Sequence, residues 1–389
     1  MSGEREIAVR RPIRGRWVLA AVSLLVALSA LEVWARAHLG PAFVQGAFTG
    51  APQALTGRFD PDLGWANRPG AQVRLSSGGA EYTVAINSKG LRDREHDYDP
   101  APATVRIVLL GDSTSWGWGV EQDHAFADLL EQRLGPGVEV INLAVPGYGT
   151  DQELWLLEWE GHRYQPDLVL LGFVLNDVVG NANPSIHGMA KPHYVRGEDG
   201  EWLLEGRPVP EPSPIRQAFR RALRRAGMHV ALAKLLEPPP PDYARPDSDS
   251  PAVQERIRAV CDQLVEEDSA THMLLGRLRE ACAQLEAPLL AFLIPHLHDR
   301  YLYDPAAPRP SDADRPDFAT YCSRKLAEAG AKLGFQTLSL DSALLAATSK
   351  GENLDCGDEH LNARGNAIVA EVLERELRPR IEALLASKP

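Results

Sequence analysis

The chain has 389 residues, 44% of them hydrophobic, with 41 lysines and arginines against 53 aspartates and glutamates and a net charge of −12. That is enough chain and enough apolar content for one large domain or two modest ones, and the acidic balance argues against nucleic acid as the main partner. No repeat of about 20–50 residues is visible, which sets solenoid and propeller architectures aside.

Residues 17–31 carry no charge, and Val33-Trp34-Ala35 nearly extends the run past Glu32. A spanning helix needs roughly 20 residues, with about 17 as the lower end. Arg5, Arg10, Arg11, Arg14 and Arg16 precede the run, which holds residues 1–16 in the cytoplasm and sends the remainder across. Residues 17–37 therefore read as a single-pass transmembrane anchor with the body of the protein extracytoplasmic. The other reading is a cleaved signal peptide with Ala35-Arg36-Ala37 at the cleavage site. Either way the body faces an oxidising compartment, where Cys261, Cys282, Cys322 and Cys356 allow three disulfide pairings or stay as buried thiols. One such bond could pin the loop around Cys356.

Residues 40–104 form a lead-in. Tyr82, Val84 and Ile86 alternate with Thr83 and Ala85 as in a strand, and Asn87-Ser88-Lys89-Gly90 follows as a turn. From residue 105 the pattern becomes strand then helix. Strands are predicted at 105–110, 138–143, 168–175, 288–294 and 335–340. Helices are predicted at 124–134, 151–162 (with Asp151 as its N-cap), 251–286, 312–333 and 362–386. Residues 168–175 are an almost unbroken apolar run, as expected when both faces of a parallel sheet are covered, 288–294 are of the same kind, and 335–340 are weaker. The domain spans 105–386. Residues 180–250 interrupt it as an insertion that holds a hairpin around Glu198-Asp199-Gly200, a basic helix over 216–236 and a polyproline break at Pro238–Pro241. An insertion after the third strand lies beside the active face and is a candidate lid or substrate wall.

Four blocks carry chemistry. Gly111-Asp112-Ser113 follows the first buried strand, so the sheet delivers a serine hydroxyl at its C-terminal edge, where open α/β folds place their ligands. That serine needs a base to become a nucleophile. Gly147, in the loop after the second strand, lets backbone approach a ligand and point an N–H at a developing oxyanion. Asn176 ends the third strand and offers an amide N–H for the same purpose. His360 stands just before the last helix, where it can serve as general base, and a nearby acid can hold its other ring nitrogen. His296 and His298 follow the fourth strand without a suitably spaced carboxylate or cysteine, so they read as structural or substrate-facing. No metal-ligand cluster and no phosphate loop is present, and no cofactor is expected.

In combination these blocks resemble the SGNH hydrolases, also called the GDSL esterase/lipase superfamily, over about 105–180 and 285–385. The resemblance implies a flavodoxin-like three-layer α/β/α sandwich with a five-stranded parallel sheet. It implies Ser113 as nucleophile, His360 as base, and an oxyanion hole made by the Ser113 N–H, the Gly147 N–H and the Asn176 side chain. The usual acid position three residues before the histidine is Gly357 here. Asp358, two before it, matches the Asp-x-His arrangement of bacterial alginate O-acetylation proteins of the superfamily and is taken as the acid, with Asp355 as the alternative. Asp60-Pro61-Asp62-Leu63-Gly64-Trp65 and Ile86-Asn87-Ser88-Lys89-Gly90-Leu91-Arg92 are similar to the leader of membrane-anchored bacterial members. The implied activity is hydrolysis of acyl esters, acetyl esters among them, carried by a carbohydrate or a lipid. The alternatives are O-acyl transfer to an envelope polysaccharide and a non-catalytic carbohydrate-binding relative.

Overall fold

Two antiparallel hairpins open the chain, β1 (Gly57–Asp60) with β2 (Gly64–Asn67), and β3 (Gln72–Ser77) with β4 (Ala80–Ala85). Then come β5 (Val105–Gly111), α1 (Ser113–Trp116), α2 (Phe126–Leu134), β6 (Val138–Asn142), α3 (Thr150–Trp159), β7 (Leu168–Phe173) and α4 (Leu175–Asn181). Two further hairpins pair β8 (Ser185–Ile186) with β9 (Met189–Ala190), and β10 (His193–Arg196) with β11 (Trp202–Glu205). The chain ends with α5 (Pro251–Asp262), α6 (Ala270–Gln284), β12 (Leu289–Leu293), α7 (Phe318–Leu333), β13 (Gln336–Leu338), α8 (Asp341–Ser349) and α9 (Ala363–Ser387). This computed structural model describes Ser23 and residues 56–77, 80–186, 189–211, 251–295, 318–357 and 360–388. All of these except Ser23 belong to one unit, residues 51–211 with 243–389.

The five predicted strands form one parallel sheet in the order β13-β12-β7-β5-β6. Alternation along each strand splits the core into two layers. Val108 and Leu110, with Val169, Leu171 and Phe173, face α3, α6 and α7. Val105, Ile107 and Leu109, with Leu168 and Leu170, face α2 and α9. The order reverses between β5, which is flanked by β6, and β7, which leads on to β12 and β13. Their C-terminal ends therefore flank the crevice at the topological switch point.

The structure differs from the sequence reading at a few places. The helix expected over 251–286 is two helices, because the chain breaks after Asp262 and restarts where the Ser269 hydroxyl caps the His272 N–H at 3.0 Å. The third strand stops at Phe173, and Leu175 begins α4 because the Asp177 carboxylate turns back to accept the Val174 N–H at 2.9 Å. Asp151 does not cap α3. Gly149 occupies that place, and Asp151 is buried in an ion pair with Lys191. The disulfide joins Cys261 to Cys322, tying α5 to α7, so it does not pin the loop at Cys356. Cys282 and Cys356 remain thiols. A bond closing a loop of this length typically stabilises by about 2–4 kcal/mol. The hairpin expected around Glu198-Asp199-Gly200 is present as β10 and β11. The anchor at 17–37 (Ser23 apart) and the basic helix at 216–236 lie outside the described residues. Among the described residues, no helix is long and apolar enough to cross a membrane.

Candidate active site

Gly111 and Gly172 face one another across β5 and β7. Ser115 occupies the space between them. A Cβ on Gly111 would lie 2.3 Å from its Oγ and one on Gly172 2.2 Å away, and Gly111 also has a φ of 156°. The missing side chains let the first turn of α1 fold down onto the sheet edge, with Ser115 fully buried, and leave Ser113 half-buried at the rim. Asp112 caps this turn, its Oδ1 accepting the Thr114 N–H at 2.9 Å. Its Oδ2 is 3.3 Å from the Ser113 hydroxyl and accepts from Asn176 Nδ2 at 2.9 Å. One buried carboxylate thus links the serine and the asparagine that the sequence singled out.

His360 Nε2 lies 2.8 Å from Ser113 Oγ, although 247 residues separate them in the chain. The histidine's loop closes on itself. Cys356 N–H donates to His360 O at 3.0 Å, Asn362 N–H donates to Leu354 O at 2.8 Å, and the Asn362 side chain caps α9. The Asn366 side chain accepts the Phe126 N–H at 3.0 Å and so joins α9 to α2. The His360 ring stacks on Trp118, with centroids 5.2 Å apart at 24°. Asp355 Oδ1 accepts the Gly357 N–H at 2.7 Å. Asp358, His296 and His298 lie outside the described residues.

Gly147, at a φ of 81°, sits on the loop after β6. That loop is tied to β5 through the Val145 N–H on Gly111 O at 3.1 Å, and Asn142 braces it by donating to Ser115 O at 2.9 Å. The first hairpin supports it from outside. Trp65 Nε1 donates to Pro146 O at 3.0 Å, Tyr148 OH donates to Trp65 O at 2.6 Å, and Gln152 Nε2 donates to Leu63 O at 2.7 Å. The Asp60–Trp65 motif is therefore a buttress of the Gly147 loop.

Behind the serine lies a set of carboxyls that the sequence reading did not find, because α3 and α4 bring them together only in three dimensions. Glu153 and Asp177 are buried, and among the described residues neither Glu153 oxygen nor Asp177 Oδ1 has a hydrogen-bond partner. Burial pushes both well above the ordinary carboxylate range, helped at Glu153 by the charges of Asp112 and Asp151, and at Asp177 by those of Glu153, Asp112 and Asp151. A group whose folded pKa exceeds its unfolded value binds its proton more tightly when folded. Its contribution to stability therefore declines as pH rises through the unfolded carboxylate range toward neutrality. Glu153→Gln, which cannot ionise, should lose less melting temperature than the wild type between about pH 5 and 8. Melting curves that run parallel across that range would show that Glu153 is not carrying this proton.

Residues 109–300 match the GDSL-like Lipase/Acylhydrolase family. The chain carries a domain of the GDSL/SGNH hydrolase family, with an esterase/acylhydrolase family relationship. Among solved structures it is similar to a lipase/acylhydrolase from Enterococcus faecalis (16% identity, TM-score 0.37, 71% of this chain and 97% of that one). It is also similar to the psychrotrophic esterase EstA from Pseudoalteromonas sp. (11%, 0.37, 71% and 98%). A third is a catalytic mutant of Axe2, an acetylxylan esterase from Geobacillus stearothermophilus (13%, 0.37, 72% and 96%). No curated protein matches the chain.

Proposed function

We propose that this chain is a serine-dependent ester hydrolase that works through an acyl-enzyme. The observation that carries the reading is the 2.8 Å contact between Ser113 Oγ and His360 Nε2 at the switch point of the sheet. With the proton of the neutral imidazole on Nδ1, Nε2 accepts the Ser113 proton as Oγ attacks an ester carbonyl. The carbonyl oxygen becomes an oxyanion, met by the Ser113 N–H, the Gly147 N–H and the second N–H of the Asn176 amide, whose first N–H is held by Asp112. Collapse breaks the ester bond, and the departing alcohol takes the proton from His360. Water, deprotonated by the same ring, then attacks the acyl-serine and releases the acid. Asp358 is assigned to hold Nδ1, with Asp355 as the alternative.

We also assign residues 17–37 as a membrane anchor and the domain to the extracytoplasmic side. The basic tail before the apolar run supports this orientation, and the Cys261–Cys322 bond suits an oxidising compartment. The substrate is an acyl ester, with acetyl esters of carbohydrates the first class to try.

The test is fluorophosphonate treatment of the full-length protein, with mass spectrometry of the digest. The adduct should map to Ser113, and an unlabelled Ser113 peptide in folded protein would overturn the reading. Acetate release from an acetyl ester, measured with and without a polysaccharide acceptor, then distinguishes transfer to water from transfer to a sugar hydroxyl.

A further inference from the structure

The turn that follows the serine, Gly117-Trp118-Gly119-Val120, is held more firmly than an ordinary loop. Trp118 N–H donates to Ser113 O at 3.0 Å, so the indole is tied to the residue that bears the nucleophile. Gly117 leaves α1 in the left-handed conformation at a φ of 87°. Arg92, only 1% exposed, reaches under the turn from the Asn87–Arg92 motif. It donates to Trp116 O at 3.1 Å, to Gly117 O, to Val120 O at 2.7 Å and to Thr83 O at 3.3 Å. Its guanidinium lies 4.6 Å from the Trp116 ring. The motif itself is set by Asn87, whose Oδ1 accepts the Lys89 and Leu91 N–H groups at 2.9 Å. Desolvation lowers the Arg92 pKa to about 10, which still leaves it charged at neutral pH. A fixed fork of donors thereby gathers backbone carbonyls on both sides of Trp118.

The other side of the turn meets the histidine loop. A Cβ on Gly119 would lie 2.7 Å from Cys356 Sγ, so only glycine lets the loop settle there. From this seat the His360 ring lies over the Trp118 ring. We propose that Trp118 is a positioning residue for His360, an aromatic plate held at fixed height and angle by Arg92 below and by the close approach of Gly119 to Cys356 beside it. A partner on Nδ1 restrains the imidazole within its plane, whereas a stacked ring restrains its tilt out of that plane. Both are needed to keep Nε2 aimed at Ser113 Oγ. The indole face also favours a cation, and the ring becomes cationic when it takes the serine proton. This role rests on the hydrolase reading given above.

The test compares full-length wild type, Trp118→Leu, Trp118→Phe and Gly119→Ala on p-nitrophenyl acetate, together with the rate of fluorophosphonate labelling of Ser113. Trp118→Leu should lower kcat by about 10–100-fold, the scale of a small misplacement of reacting groups, with KM nearly unchanged and labelling slowed in parallel. Trp118→Phe, which keeps a plate, should recover most of the loss. Gly119→Ala leaves the indole in place but lifts the histidine loop, and it should lower kcat in the same way. It carries the test if Trp118→Leu does not fold. Wild-type kcat and labelling in folded Trp118→Leu would overturn positioning. So would a rise in KM alone, or a Phe variant as slow as the Leu variant. If Ser113 is not labelled in the wild type, the hydrolase reading itself fails. If it is labelled but the variants label at the same rate, positioning alone fails.

Discussion

His360→Gln is expected to lower kcat by about 10⁶ while leaving KM within a few-fold, because losing either member of a serine–histidine pair removes the whole proton-transfer unit. Glutamine is close in size and keeps a polar atom near Ser113, but it cannot take the serine proton at neutral pH. The seat of residue 360 is held by backbone bonds, Cys356 N–H to His360 O at 3.0 Å and Asn362 N–H to Leu354 O at 2.8 Å, and the residue is only half-buried. The melting temperature should therefore barely move. A residual rate above the uncatalysed reaction, of about 10³–10⁴, should remain from the oxyanion donors and substrate binding. Steady-state kinetics with an active-site titration of Ser113 measures it. A variant within about ten-fold of wild-type kcat would mean that another base serves Ser113.

Lys191→Met should destabilise the protein by about 3–5 kcal/mol, the usual cost of leaving one buried charge without its partner. Both side chains of the Lys191–Asp151 pair are fully buried, and Lys191 Nζ also donates to Pro192 O at 3.2 Å. Burial already pushes the Asp151 carboxyl up against the pull of Lys191. Without the ammonium, Asp151 must take up a proton or expose itself, and either route disturbs the start of α3 beside the Gly147 loop. Thermal unfolding should show a fall in Tm on the order of 10 °C. Lys191→Met combined with Asp151→Asn should recover a substantial part of it. If the double variant is no more stable than the single one, the loss comes from packing and not from a stranded charge.

The contrast between these two residues shows what the sequence could disclose. His360 was legible because its place before the last helix matched the Ser, Gly and Asn blocks in order. Lys191 was not, since its partner lies 40 residues earlier and the same pairing moved Asp151 from surface cap to buried ion. The central strands were legible because β7 and β12 are apolar on both faces, so burial and propensity agree, whereas the edge strand β13, Gln336-Thr337-Leu338, carries a weaker signal. The break between α5 and α6 was missed because hydrophobic spacing continues across it. The cap at Ser269 and the contact of His272 Nδ1 with Leu264 O at 2.8 Å mark where one helix ends and the next starts. Within the site, Ser113, Gly147 and Asn176 follow the C-terminal ends of β5, β6 and β7, where period and motif coincide. Arg92 and Trp118 could be seen only as part of a turn and as an aromatic, because their contacts join segments that are remote in sequence.

The hairpin of β1 and β2 bears on where this family domain begins. The family match opens at residue 109 and closes at 300, yet Trp65 holds the Gly147 loop from one side of that span and His360 meets Ser113 from the other. The structural unit that holds the Ser113 site together is therefore wider than the matched stretch. An exchange of segments between relatives that respected the 109–300 boundaries would carry Ser113 away from both Trp65 and His360. Changes at Leu63, Trp65 and Pro146 should be constrained together, as parts of one joint, even though they read as belonging to a leader and a domain.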